Sequence, residues 1–300
     1  MRQRRAACGS AVLPDASLQF TPKALYNRGL WARIRRAEPA DGRSRLATES
    51  FKATSASIGD GEAVVPSPAV AALFADIAAR GPVAGAKGGR GPAWLLTYGL
   101  AVRRRRRFMK LYGWSVPTPA AIGAIAAFLA GRQLLEVGAG NGLWARLLNA
   151  YGVAVTATDD LSWAAPDGSL AGEQAPPPSG FAVDAGRFYP VDRRDALDAV
   201  KKYTDHQALL ICWPSYGKAF AAEALAAFRG DRVVYVGDPS CTADADFHDR
   251  LLRLWLRKEI IAVPTWPTIH DAVHLYERKE QRWAPRNADR PPNPHMLPPS

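Results

Sequence analysis

The chain has 300 residues, 48% of them apolar, and a formal net charge of +11. That composition supports a folded core, and no apolar run approaches the roughly 20 residues of a membrane-spanning helix, so a soluble protein is expected. The three cysteines, Cys8, Cys212 and Cys241, are widely spaced, so neither a disulfide framework nor a zinc cluster is indicated and no metal site is expected.

The charge is unevenly placed. Residues 1–110 carry 20 Lys and Arg against 7 Asp and Glu, whereas residues 111–300 carry 19 against 21. Residues 1–90 are rich in Arg, Ala, Gly, Ser and Pro without a sustained helical or strand period, and read as a disordered or low-complexity basic extension. The opening MRQRRAACGSAVLP and the arginines Arg33, Arg35 and Arg36 have the composition of an organelle transit peptide; without one the chain is expected in the cytoplasm.

Residues 91–131 form a basic, helical lead-in. Arg103 to Arg107 spread around every face of a helix, because each residue advances about 100°. They serve either as a site for phosphates and acidic partners or as a solvated surface. After Pro117, Thr118 is placed as an N-cap for a short apolar helix ending at Gly131.

From residue 132 to 280 the pattern alternates. LLEVG reads as strand, NGLWARLLNAYG as helix and VAVTATD as strand. A Pro-rich loop at 166–180 follows, then a short strand ending near Val191 and the helix RRDALDAVKKY. Next come QALLICW (strand), GKAFAAEALAAFRG (helix), DRVVYVGD (strand), ADFHDRLLRLWLRKE (helix), and the closing strands IIAVPTW and DAVHLYERK. Residues 281–300 are a Pro-rich tail. Such alternation argues for an α/β fold, a mostly parallel sheet with helices on both faces, whose ligands bind beyond the carboxyl ends of the strands. Gly138-Ala139-Gly140-Asn141-Gly142 falls at that edge. Its spacing is G-x-G-x-G, with Leu143 and Trp144 where a dinucleotide fingerprint needs a small residue, so a nicotinamide or flavin cofactor is disfavoured.

Glu136-Val-Gly-Ala-Gly-Asn-Gly142 resembles the first motif of the class I S-adenosylmethionine-dependent methyltransferases. With YGWSVP and CWPSY it looks like a poorly characterised branch of that superfamily. The resemblance covers about residues 112–280 and implies a Rossmann-like fold with a seven-stranded sheet. The implied cofactor is S-adenosyl-L-methionine, held by Glu136, Gly138, Ala139, Gly140, Gly142 and Cys212. Asp159, or its neighbour Asp160, is implied on the ribose hydroxyls, and Asp195, with Asp192 next, on the adenine amino group. A glutamate inside an apolar strand is itself rare unless it is paired or hydrogen-bonded.

Cys212-Trp213-Pro214-Ser215-Tyr216 takes the place of the family's fourth motif. Trp213 stands where an acid or amide orients a nitrogen acceptor, which counts against DNA-adenine or glutamine methylation. Trp213 and Tyr216 are candidates to face the sulfonium, since aromatic faces attract cations. Candidate proton acceptors are His270, Asp271 and Asp238. Trp266 either lines an acceptor pocket or packs in the core, His248 reads as surface, and Trp144, Leu147, Leu148 and Tyr151 read as core. The acceptor itself is not identified, with a small molecule or a protein favoured. Two other readings stay open: a catalytically inactive binding protein with this fold, and a nucleic-acid methyltransferase gripping phosphates with Arg103 to Arg107.

Overall fold

A computed structural model describes residues 66–83, 92–163, 175–182 and 186–279. The transit-peptide reading and the Pro-rich tail fall outside the described residues. Among those described, no helix is long and apolar enough to cross a membrane.

Three helices precede the sheet: α1 (Pro68–Arg80), α2 (Pro92–Tyr112) and α3 (Pro119–Leu129). The first lies in the stretch read above as lacking a period. Ser67 accepts from the Val70 N–H, Pro68 sits at the first helical position, and Val70, Leu73, Phe74 and Ile77 are buried at helical spacing. Thr118 caps α3 as expected, its Oγ1 accepting from the Ala121 N–H at 3.1 Å.

The remaining elements alternate: β1 (Leu134–Val137), α4 (Leu143–Ala150), β2 (Val155–Asp159), β3 (Val191–Arg193), α5 (Ala196–Lys202), β4 (Ala208–Cys212), α6 (Phe220–Ala227), β5 (Arg232–Gly237), α7 (Ala245–Leu254), β6 (Trp255–Ala262) and β7 (Ala272–Arg278). They build one seven-stranded sheet in the order β3-β2-β1-β4-β5-β7-β6. All neighbours are parallel except β5–β7 and β6–β7. This order, with a single reversed strand at the penultimate position, is the Rossmann-like methyltransferase fold.

The period of two in each strand divides the core. Leu134, Leu210, Val234 and Val236 face α1 to α4, whereas Leu135, Val137, Leu209, Ile211, Val233 and Tyr235 face α5 to α7. Neighbouring strands carry alternating side chains to opposite layers, so helices cover both faces.

Several boundaries differ from the sequence reading; β6 ends at Ala262, so Val263 to Trp266 of IIAVPTW are not strand. Val191 begins β3 rather than ending it. The apolar helical period of ADFHDRLLRLWLRKE stops at Leu254, because Trp255 pairs with Arg278 of β7, stacks on Phe228 at 6.3 Å and lies beneath the Arg278 guanidinium at 4.3 Å. Sheet pairing and this packing override the local helical pattern. The strand order reverses between β1 and β4, so their carboxyl ends open the crevice where such sheets bind ligands. A recess of about 470 Å³ lined by Arg132, Gln207, Arg229 and Asp231 lies at the opposite, amino edge, away from every candidate residue.

Candidate functional site

The loop after β1 is held from three sides. Gly138, Gly140 and Gly142 have φ of +70°, +57° and +77°, conformations that L side chains rarely adopt. Ala139 N–H donates to Thr158 O, and Asn141 ties α2 to the loop by donating from Nδ2 to Leu111 O at 2.9 Å. Phe188 N–H donates to Asn141 O, which brings residues 186–189 over the loop. A Cβ at Gly142 would stand 2.9 Å from Tyr189 Cβ and 3.1 Å from its carbonyl oxygen. The third glycine is therefore required by the chain's own backbone. Leu143 and Trp144, which follow it, are buried in the core.

Beneath this loop Glu136 is 1% exposed, and neither carboxylate oxygen has a hydrogen-bond partner. The Ala145 N–H bears on it without reaching hydrogen-bond geometry. Burial, aided by the charge of Asp159, pushes its pKa up to about 8. An orphaned carboxyl of this kind is costly unless something polar or cationic faces it.

Asp159 is committed to the loops. Its Oδ2 accepts from the Gly140 N–H at 2.9 Å, and its Oδ1 accepts from the Leu161 N–H at 2.7 Å and from Trp163 Nε1–H at 2.9 Å. Burial raises its pKa against these three donors. A carboxylate offers about four lone-pair sites, so a diol could engage both oxygens only if Trp163 withdrew. Asp160 is exposed and accepts the Ser162 N–H through Oδ1 alone. Asp195 caps α5, its Oδ1 accepting from Leu197 and Asp198 N–H groups. Asp192 is tied to Arg194, Lys202 and Tyr203.

At the end of β4, Cys212 lies near two acids. Burial and the nearby Glu136 and Asp271 raise its thiol pKa well above the ordinary value, so it stays a neutral packing group. Trp213 follows at φ +48°, a strained setting for a bulky side chain that its N–H bond to Val236 O (2.8 Å) helps to hold. Its indole stacks on Trp114 at 5.3 Å and 19°, and the Arg105 guanidinium stands 5.6 Å from both ring centroids. Tyr216 is 51% exposed on the loop beyond.

The five arginines separate into different roles. Arg104 turns back to α1, donating from Nε to Arg80 O and Gly81 O and from a terminal nitrogen to Ala79 O. Arg105 points inward, and burial lowers its pKa. Arg103 and Arg107 are exposed.

The β5–β7 corner rearranges the expected proton acceptors. Asp238 is buried and accepts from Ser240 N–H and Oγ–H and from the His270 backbone N–H at 2.8 Å, which makes it a brace. The His270 side chain is 73% exposed, its Nδ1 3.4 Å from Asp238 Oδ2, and it is not brought to the crevice. Its neighbour Asp271 is the inward residue: 4% exposed, with both oxygens unpartnered, and raised by burial to about 7. The only sequence signal for it was its place at the start of the last strand. His248 is buried, not at the surface, with Nε2 against Thr242 O at 2.9 Å, because it shares the inner face of α7 with Phe247 and Leu251. Trp266 packs in the core against Phe108 at 5.5 Å.

The structure thus gathers Glu136, the glycine loop, Asp159, Cys212 and Trp213 along one edge, adds Arg105, Ser115 and Asp271, and leaves His270 and Tyr216 at the surface. Among the described residues, no cluster of His, Cys, Asp and Glu could hold a metal ion.

No protein-family model matches the chain, and no curated protein is similar to it at a significant level. Solved structures with similarity include TehB from Haemophilus influenzae, at 12% identity over 58% of this chain and 67% of that one, with a TM-score of 0.37. Another is magnesium protoporphyrin IX methyltransferase from Synechocystis PCC 6803 with bound SAM, at 9% identity over 64% and 87%, TM-score 0.35. A third is the ribosomal protein L11 methylase of Lactobacillus delbrueckii subsp. bulgaricus, at 12% identity over 53% and 78%, TM-score 0.34. Likeness at this level carries no argument about ligand or activity, and the fold is read from the strand order.

Proposed function

We propose that the chain binds S-adenosylmethionine at the carboxyl edge of β1, β2 and β4 and directs methyl transfer to a small-molecule or protein acceptor. The observation that carries this reading is Glu136, a fully buried and unpartnered carboxyl directly beneath a loop of left-handed glycines at the switch point of the sheet. S-adenosylmethionine suits that setting because it brings two cationic groups, an ammonium and a sulfonium, and its sulfonium supplies a strongly electrophilic methyl. A cation near Glu136 lowers the pKa that burial has raised and stabilises the carboxylate.

The chain's own residues then have defined duties. Backbone groups of residues 138–142 meet the cofactor without an intervening Cβ at the glycines. Asp159 holds the loop shape through the Gly140 N–H, and Asp160 presents its free Oδ2 for ribose hydroxyls. Asp195 keeps Oδ2 available beyond its capping bonds. Cys212 fills the floor as a neutral group, and Trp213 excludes water beside it. The nucleic-acid reading loses ground because Arg104 and Arg105 are spent inside the protein, so the arginine run is no continuous phosphate grip.

The test is calorimetric titration of the full chain with S-adenosylhomocysteine, beside Glu136→Gln. Micromolar binding, about −8 kcal/mol, that weakens at least tenfold in the variant supports the reading. A folded wild-type chain that binds nothing up to millimolar ligand sinks it.

A further inference from the structure

Four side chains from four separate places, each with a buried polar atom, meet near Cys212 without closing their hydrogen bonds. Asp271 immediately precedes β7 with both oxygens unpartnered, Ser115 Oγ lies in the α2–α3 connection, Trp213 Nε1 follows β4, and Arg105 Nε comes from α2. Trp213 and Ser115 bear on the Asp271 carboxyl as donors and Arg105 bears on it as a charge. In each case the contact stops short of a hydrogen bond. Native interiors leave few such groups open. Several left open around one point, at the ligand edge of the sheet, are groups that a ligand's own donors and acceptors would close.

The chemistry of the recess restricts its ligand. A cationic group would face Arg105, and an anionic one would face Asp271. A neutral edge that offers a donor to the carboxyl and an acceptor to the indole N–H or the serine hydroxyl satisfies both. The Trp114 and Trp213 rings beside these groups are parallel to within 19°, and Trp114 is 47% exposed. Flat rings favour planar partners.

We infer that Asp271, Trp213, Ser115 and Arg105 form a recess for a planar heterocycle bearing a lactam-type edge, an N–H beside a C=O, with the N–H donating to Asp271 and the C=O accepting from Trp213 Nε1–H or Ser115 Oγ–H. The recess adjoins the proposed cofactor site, since the Cys212 thiol feels both Glu136 and Asp271. Resting on the methyl-transfer reading, it is the acceptor side, and Asp271 is where the acceptor's N–H proton is held.

The matched probes are 2-pyridone and N-methyl-2-pyridone, which differ only at the N–H. Both are titrated into the full chain by ligand-observed NMR, alone and with saturating S-adenosylhomocysteine. The expected result is 2-pyridone binding at least tenfold tighter than its N-methyl analogue. Asp271→Asn brings the pair within about twofold while its S-adenosylhomocysteine affinity stays within about twofold of wild type. Trp213→Phe weakens both probes to a similar degree, and this variant, with Ser115→Ala, carries the test if Asp271→Asn fails to fold. Equal binding of the pair, binding of neither, or full discrimination by Asp271→Asn overturns the inference. Loss of S-adenosylhomocysteine by a folded Asp271→Asn also overturns it, by placing Asp271 in the cofactor site. A wild-type chain that discriminates the probes yet does not bind S-adenosylhomocysteine keeps the recess and refutes methyl transfer.

Discussion

Glu136→Gln makes a prediction about stability as well as binding. Burial moves the folded-state pKa of Glu136 from 4.5 up to about 8. Between those values the unfolded chain has released the proton while the folded chain keeps it, so the unfolded state binds fewer protons and stability falls as pH rises. At about 1.4 kcal/mol per pH unit the whole interval is worth on the order of 5 kcal/mol, and about 3 kcal/mol is already lost at pH 7. Glutamine has the same shape and no charge to titrate. Its own unpaired amide carries a desolvation cost of about 1–3 kcal/mol, so absolute stability is a poor readout and the slope is a good one. Urea unfolding at half-unit steps from pH 5 to pH 8 measures it. Around pH 6 the wild-type slope should be steeper than that of the variant by about 1.4 kcal/mol per pH unit, and by pH 8 the difference should have fallen to about half. Identical slopes would show that Glu136 is already ionised and partnered in the free protein, and the case for an orphaned carboxyl would collapse.

Gly142→Ala should destabilise the fold by on the order of 3 kcal/mol, combining left-handed strain with displacement of the Tyr189 backbone; an unchanged denaturation midpoint would refute the close approach. Arg104→Ala should free α1, raising amide exchange across residues 68–80 and lowering stability by about 1–2 kcal/mol, whereas Arg107→Ala should change neither by more than about 0.5 kcal/mol. His270→Ala should be silent within about 0.5 kcal/mol, while Asp238→Ala, which strands the Ser240 and His270 N–H groups, should cost about 2–4 kcal/mol by thermal unfolding. Equal effects at the two positions would contradict the bracing role of Asp238.

The sheet was legible because its signal is local. Each core strand is a short apolar run, and the three glycines after Val137 mark where the backbone must turn left-handed. What was not legible depended on partners distant in sequence. Trp255 reads as the next turn of an amphipathic helix until its place beneath Arg278 and beside Phe228 is known. Helix α1 was hidden by its Ala-rich surroundings, although Ser67-Pro68 is an ordinary start signal. For the pair His270-Asp271, composition favours the histidine as the reactive partner. The course of the chain into β7 decides otherwise, turning the ring to solvent and the carboxyl inward.

Glu136 and Asp271 are both near enough to Cys212 to raise its thiol, and this links the two sites proposed above. Both acids are raised by burial, and both bear on the same thiol. A cation admitted beside Glu136 does more than stabilise one carboxylate, because its field in a low-dielectric crevice extends to the neighbouring acid. Asp271 then becomes a stronger acid and a better-populated carboxylate, competent to accept an N–H bond. With a neutral thioether in place of the sulfonium that support would be smaller, and both acids would return toward protonation. The affinities for the sulfonium form of the cofactor and for the acceptor are therefore coupled through charge, and by linkage the coupling is reciprocal. S-adenosylmethionine should tighten 2-pyridone binding more than S-adenosylhomocysteine does, and Glu136→Gln should reduce that difference. The order of the two ligands' effects follows from the sulfonium charge alone, and a reversed order would show that the acids do not sense it.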